Sequence, residues 1–143
     1  MKNLNEKKIL LIICGGIAAY KSLEVIRLLK KNGSSVKTIL TNNAKKLLDI
    51  SKLKKSTLGK IYTDKSENNK KMLHISLSRT NNMIVVCPAT ANTIGKFANG
   101  YGDNLASTTL LASNKPVILI PAMNTMMWNN SINTKNINYL KSI

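Results

Sequence analysis

Two cysteines, one histidine, one tryptophan and one phenylalanine are all that this chain of 143 residues holds of those types. The scarcity excludes several function classes. Cys14 and Cys87 lie in neither a CxxC nor a zinc spacing, and with His74 as the sole histidine no metal site built from protein ligands is expected. Each cysteine ends an apolar run, so burial as a reduced thiol is the expectation. No apolar run approaches the roughly 20 residues a membrane span needs. The short apolar stretch after the polar N-terminus runs into Cys14-Gly15-Gly16 and not into a small-residue cleavage site. It reads as a first strand, and the chain as cytoplasmic.

Acidic residues are also few, 6 against 22 basic ones, for a net charge of +16. A charge of that size invites a nucleic-acid partner. Its make-up argues against one. Only Arg27 and Arg79 are arginines, the side chain best suited to reading bases and gripping phosphates, and aromatic residues for stacking are scarce. The lysines are scattered and accompanied by abundant asparagine, the composition of a solvated surface. No specific nucleic-acid partner is expected.

What the chain does contain is alternation. Lys8–Cys14 is a continuous apolar run, the pattern of a strand buried on both faces. Gly15-Gly16 breaks it. From Ala18 to Lys31 apolar residues recur at helical spacing, and Asn32-Gly33 is a helix stop. Val36–Leu40 reads as a second strand, completing a βαβ unit. A short helix is expected over Ala44–Leu48, and residues 49–71, rich in Lys, Ser and Asn, read as a mobile solvated segment with modest local structure. Beyond it, Leu73–Ser78 suits a helical turn. Met83–Cys87 is a third strand, closed by Pro88, and Pro116–Ile120 a fourth, closed by Pro121. Helices are expected over Ala91–Ala98, Leu105–Ala112 and residues 131–143. The sum is an α/β fold, a Rossmann-like three-layer arrangement around an open parallel sheet, in one domain spanning 1–143.

In such sheets ligands bind beyond the carboxyl ends of the strands. Four such ends carry unusual loops. Gly15-Gly16 lets backbone approach an anion, though a tight turn explains a lone Gly-Gly equally well. Thr41 ends the second strand, where a hydroxyl either caps the next helix or bonds a phosphate. Pro88–Thr93 offers backbone N–H groups and short polar side chains at a strand-to-helix junction, again open to a capping reading. Pro121–Trp128 presents Asn124, both donor and acceptor, followed by Met126, Met127 and Trp128, which read as core or subunit-interface packing.

The stretches KKILLIICGGIAAYKSLEVIRLLKKNGSSV, HISLSR, CPATANTIGKFANGYGDNLASTTLLA and KPVILIPAMNTMMW resemble, in order, the homo-oligomeric flavin-containing cysteine decarboxylases. The likeness is strongest to the flavoprotein domain of the bacterial phosphopantothenoylcysteine decarboxylases. It covers nearly the whole chain and is weakest over 49–71. It implies an FMN site at the strand ends, between neighbouring subunits. Gly15 and Gly16 would approach the cofactor. Thr41 would bond its phosphate, and Thr90, Ala91, Asn92 and Thr93 would hold the phosphate and ring edge. Ala122 would contact the flavin, Asn124 would bind the substrate carboxylate, and His74 matches the family's catalytic histidine.

The implied reaction is decarboxylation of a phosphorylated cysteine conjugate, 4′-phospho-N-pantothenoylcysteine, to 4′-phosphopantetheine in coenzyme A biosynthesis. Oxidation at the carbon bearing sulfur gives a thioaldehyde, an electron sink that lets carbon dioxide leave. The oxidation needs a base, and histidine is the side chain that exchanges protons near neutral pH. The resemblance implies a homotrimer or an assembly of trimers. It also implies a proton-donating cysteine on a clamp downstream of the PAMN loop, which would lie beyond Ile143, so the sequence reads as C-terminally shortened. A flavin-binding module without full turnover and a peptidyl-cysteine decarboxylase are the alternatives. The positive charge should speed capture of phosphorylated ligands. The association rate of FMN is accordingly expected to fall as ionic strength rises, and stopped-flow fluorescence showing no such fall would refute the steering.

Overall fold

The computed structural model describes residues 4–57, 61–68 and 72–143. Five strands form one all-parallel sheet in the order β3-β2-β1-β4-β5. They are β1 (Lys8–Ile13), β2 (Ser35–Leu40), β3 (Ile61–Tyr62), β4 (Met83–Ala89) and β5 (Val117–Pro121). The central strand, KILLII, explains the arrangement. Ile9, Leu10, Leu11, Ile12 and Ile13 are all fully buried, so the strand must be covered on both faces. Leu10 and Ile12 point into one apolar cluster, and Ile9, Leu11 and Ile13 into the other.

Each cluster is closed by its own helices. On one face lie α1 (Ser22–Lys31), α2 (Asn42–Lys45) and α3 (Ile50–Ser56), which contribute Ile26, Ala44 and Leu53. On the other lie α5 (Leu73–Arg79), α6 (Ala91–Ala98), α7 (Leu105–Leu111) and α9 (Ser131–Ser142), with Leu77, Ile94, Leu110 and Leu140. Two short helices, α4 (Asp64–Asn68) and α8 (Thr125–Asn129), sit at loop positions. This is the Rossmann-like α/β architecture expected. Among the described residues no helix is long and apolar enough to cross a membrane.

Four expectations need correction. Residues 49–71 do not read out as one solvated segment. Where described, they form α3, the edge strand β3 and α4, although 58–60 and 69–71 lie outside the described residues. The signals were short: Asp49 caps α3 by accepting from the Ser51 and Lys52 N–H groups, and only Leu53 is fully buried. The helix expected over Ala44–Leu48 is a single turn starting at Asn42, and the first part of the Ala18–Lys31 helix is a 3₁₀ turn, Ile17–Lys21. Pro88 does not close its strand. β4 continues to Ala89 through a cis Cys87–Pro88 bond, with a register shift against β5 between Val86 and Ala89. The Cys87 carbonyl receives the buried Ser22 hydroxyl at 2.8 Å, so it is not left unpaired.

Among the described residues three buried side-chain oxygens lack a partner: Thr38 Oγ1, Asn81 Oδ1 and Asn133 Oδ1. Thr38 in β2 is fully buried on the α1/α3 face, and its Oγ1 makes no hydrogen bond. Replacing a buried unpaired hydroxyl by a methyl removes a desolvation cost of about 1–3 kcal/mol. Thr38→Val is therefore expected to raise the melting temperature. A lowered melting temperature in differential scanning calorimetry would contradict that.

Candidate functional site

The sheet's strand order places the site. From β1 the chain proceeds outward through β2 to β3, then returns to start β4 on the opposite side of β1 and moves outward to β5. Beyond the carboxyl ends of β1 and β4 the connections therefore leave in opposite directions, and a crevice opens between them. The structure has a cleft of about 910 Å³ there.

Local sequence builds its walls. Three strand ends launch helices through a side-chain cap. Thr41 Oγ1 accepts from the Ala44 N–H at 3.4 Å and donates to the Ile13 carbonyl at 3.2 Å. Thr90 Oγ1 accepts from the Thr93 N–H at 3.3 Å, and Asn124 Oδ1 from the Met127 N–H at 2.9 Å. The capping reading thus holds at Thr41 and Thr90, Asn124 is a cap that the sequence did not announce, and all three still face the cleft. In α6 the N–H groups of Ala91 and Asn92, in the first turn, have no acceptor within the helix.

The fourth wall is the Gly15-Gly16 loop. A Cβ on Gly15 would fall 2.7 Å from the Asn43 carbonyl carbon and 2.9 Å from the Ala44 nitrogen. Only glycine lets β1's exit pass the start of α2 so closely. A Cβ on Gly16 would meet Thr90 Cγ2 at 3.5 Å and the Ala122 carbonyl oxygen at 3.9 Å, ordinary contacts, inside the cleft.

Gly15, Gly16, Thr41, Thr90, Ala91, Asn92, Thr93, Ala122 and Asn124 all line this one cleft. His74 does not. It sits in the first turn of α5, which packs on α7, and its Nδ1 bonds the Glu67 carboxylate. Met126, Met127 and Trp128 are not core residues of this chain: they are 82, 43 and 49% exposed. The α8 turn that carries them packs on α9, where Asn133 Nδ2 donates to the Met127 carbonyl at 3.1 Å.

The structure adds lining residues that the sequence did not single out: Ile17, Asp64, Lys96, Asp103 and Asn104 among them. Asp64 had no recognisable signal, falling in the segment read as solvated. Its Oδ1 accepts from the Leu105 N–H at 2.9 Å and its Oδ2 from Asn42 Nδ2 at 2.8 Å. Lys96 Nζ donates to Asp103 Oδ2 at 2.7 Å, and that hydrogen bond holds the Asp103 carboxyl below the usual carboxylate range. The buried Cys14 also lines the cleft, and its Sγ accepts from Thr93 Oγ1 at 3.1 Å. Burial pushes its thiol up from the ordinary value, so it stays protonated and unreactive at neutral pH.

The flavoprotein family model matches residues 1–143. The chain belongs to that family. It is 38% identical over 139 residues to the coenzyme A biosynthesis bifunctional protein CoaBC of Bacillus subtilis (strain 168), covering 96% of this chain and 34% of that protein. The corresponding protein of Borreliella burgdorferi is 39% identical over 138 residues, covering 96% and 35%. The chain thus spans about a third of the length of these relatives. Among solved structures, a PPC decarboxylase mutant C175S complexed with pantothenoylaminoethenethiol superposes with a TM-score of 0.88 at 32% identity, over 96% of this chain and 79% of the other. Peptidyl-cysteine decarboxylase EpiD gives a TM-score of 0.84 at 30% identity, over 96% and 82%.

The two glycines of this flavoprotein should respond differently to one added methyl. Gly15→Ala drives a Cβ into backbone and is expected to cost about 1–3 kcal/mol of stability, read as a lowered melting temperature. Gly16→Ala is expected to leave the melting temperature nearly unchanged. Equal losses for both would contradict the geometry.

Proposed function

We propose that this chain holds FMN in the cleft at the β1/β4 strand ends and uses it to decarboxylate 4′-phospho-N-pantothenoylcysteine to 4′-phosphopantetheine, a cytoplasmic step of coenzyme A biosynthesis. One observation carries the reading. The nine cleft-lining positions matched to the family's ligand-binding loops come from four separate strand ends, yet share one cavity. Its volume of about 910 Å³ suits a flavin-sized ligand.

The donor set fits that group. The Thr90 hydroxyl and the first-turn N–H groups of α6 suit a phosphate at a helix N-terminus, and the hydroxyls of Thr41 and Thr93, which donate to the Ile13 carbonyl and to Cys14 Sγ, would reach it by turning. Gly16, bare of a side chain, leaves room for a planar ring against Thr90 and Ala122. With its Oδ1 engaged by the Met127 N–H, Asn124 keeps Nδ2 as a donor for the substrate carboxylate. Bound FMN supplies a two-electron acceptor for oxidation at the carbon bearing sulfur. His74 takes the proton that this oxidation releases.

Because His74 lies outside the cleft of its own chain, the reading requires a second copy to present it there. A homotrimer, or an assembly of trimers, with FMN between subunits meets that requirement. The exposed Ile17, Met126 and Trp128, beside or near the cleft, are apolar surface of the kind such a neighbour would cover. The same separation of His74 from the cleft favours a second reading, a flavin-binding module without full turnover. The likeness to EpiD keeps peptidyl cysteine as the alternative substrate class.

The test is reconstitution with FMN followed by addition of the phosphorylated cysteine conjugate. Yellow protein that releases carbon dioxide is expected, and yellow protein that releases none would leave only the binding module. Colourless protein without FMN affinity would end both. His74→Asn is expected to keep FMN and lower kcat by about 10²–10⁴-fold, the usual contribution of a general base. Gly16→Ala is expected to weaken FMN binding by about tenfold or more at unchanged stability, since a methyl in a filled pocket costs about 1–3 kcal/mol.

A further inference from the structure

Glu67 makes an unusual choice of partner. Among the described residues its carboxylate bonds the chain's single histidine and no lysine. Both of its oxygens are used on that one residue. Oε1 meets His74 Nδ1, and Oε2 accepts the His74 backbone N–H at 3.2 Å. The two side chains are 24 and 29% exposed, so the contact is partly shielded from water. The other paired carboxylates behave differently: Glu24 with Arg27, and Asp103 with Lys96, are ion pairs to permanent cations.

A carboxylate can only accept, so a neutral imidazole facing it must carry its proton on Nδ1. The lone pair is then on Nε2. Free in water, the neutral ring prefers the opposite arrangement, and the tautomer is set by whichever group bonds the other nitrogen. The backbone just ahead of the helix that carries His74 is left-handed. Met72, exposed and not glycine, has φ 60° and ψ 33° immediately ahead of α5. A left-handed non-glycine residue costs about 1–2 kcal/mol and persists only where its surroundings impose it.

We infer that Glu67 is a positioning residue for His74: its carboxylate holds the proton on Nδ1 and fixes the ring, so that Nε2 is the atom that takes a proton from substrate. The catalytic consequence rests on the decarboxylase reading above, while the tautomer does not. Glu67 itself touches no substrate and acts through His74 alone. The pairing follows the logic by which an acidic neighbour orients a catalytic histidine.

Because His74 is the only histidine, ¹⁵N-histidine labelling of the full chain gives one pair of ring nitrogen signals. Spectra are taken with FMN added, at the alkaline end of a pH series, where the ring nitrogen signals no longer move with pH. The wild-type chain is expected to show a protonated Nδ1 and a bare Nε2. Glu67→Gln keeps an acceptor and should keep that pattern, while Glu67→Ala should revert to Nε2–H. A wild-type spectrum with the proton on Nε2, or a pattern unchanged in Glu67→Ala, overturns the inference. In turnover, Glu67→Ala should lower kcat by about 10–100-fold with KM and FMN affinity unchanged, and Glu67→Gln should recover most of it. A loss spread equally over FMN affinity and melting temperature would mark a structural staple instead and overturn the inference too. If the wild-type chain has no activity, the decarboxylase reading fails, while the spectra of the wild type and Glu67→Ala still decide the pairing.

Discussion

The parallel pairing of β1 with β4 is the constraint on which the rest depends. Ile9 to Ile12 stand opposite Met83 to Val86, and almost every side chain in that strip is buried. Two neighbouring strands buried on both faces need helices above and below, and parallel neighbours need long crossovers to bring the chain back. Both needs are met by sending β1's crossover to one flank and β4's to the other. The cleft follows from that divergence. It is a gap that apolar packing leaves open at one end of the sheet, and the residues around it are those with which the strands end.

That explains why so much of the site was legible in sequence. A strand buried on both faces is a run of Ile, Leu and Val, so its end is conspicuous, and the residues that follow are the residues of the cleft. Gly15-Gly16, Thr41, Thr90–Thr93 and Ala122–Asn124 each follow such a run. Asp64 was hidden because its strand, β3, is two residues long and pairs on one edge only. No apolar run announces it. Lys96 and Asp103 escaped for another reason: their chemistry is a side-chain pairing between the body of α6 and the loop before α7, and no local pattern encodes it. The distance of His74 from the cleft is a matter of tertiary placement, which motif order leaves undetermined.

The charge distribution has a similar lesson. The chain carries +16, yet among the described residues the cleft lining holds one cation, Lys96, against the carboxylates of Asp64 and Asp103. Any electrostatic attraction for an anion therefore acts at long range from the scattered lysines. Close contact is left to hydroxyls and backbone N–H groups, whose directions are fixed by helix caps. Attraction and recognition are carried by different residues, so salt should weaken the first far more than the second.

Asp64 gives the cleft a mechanical property. One oxygen of its carboxylate holds the start of α7 and the other holds the start of α2. These two helix ends stand on opposite faces of the sheet and on different strand connections. A single planar group bridging them behaves as a tie-rod: a load that displaces either rim is shared by the other. The mouth of the cleft then dilates and contracts as one frame rather than as two independent loops.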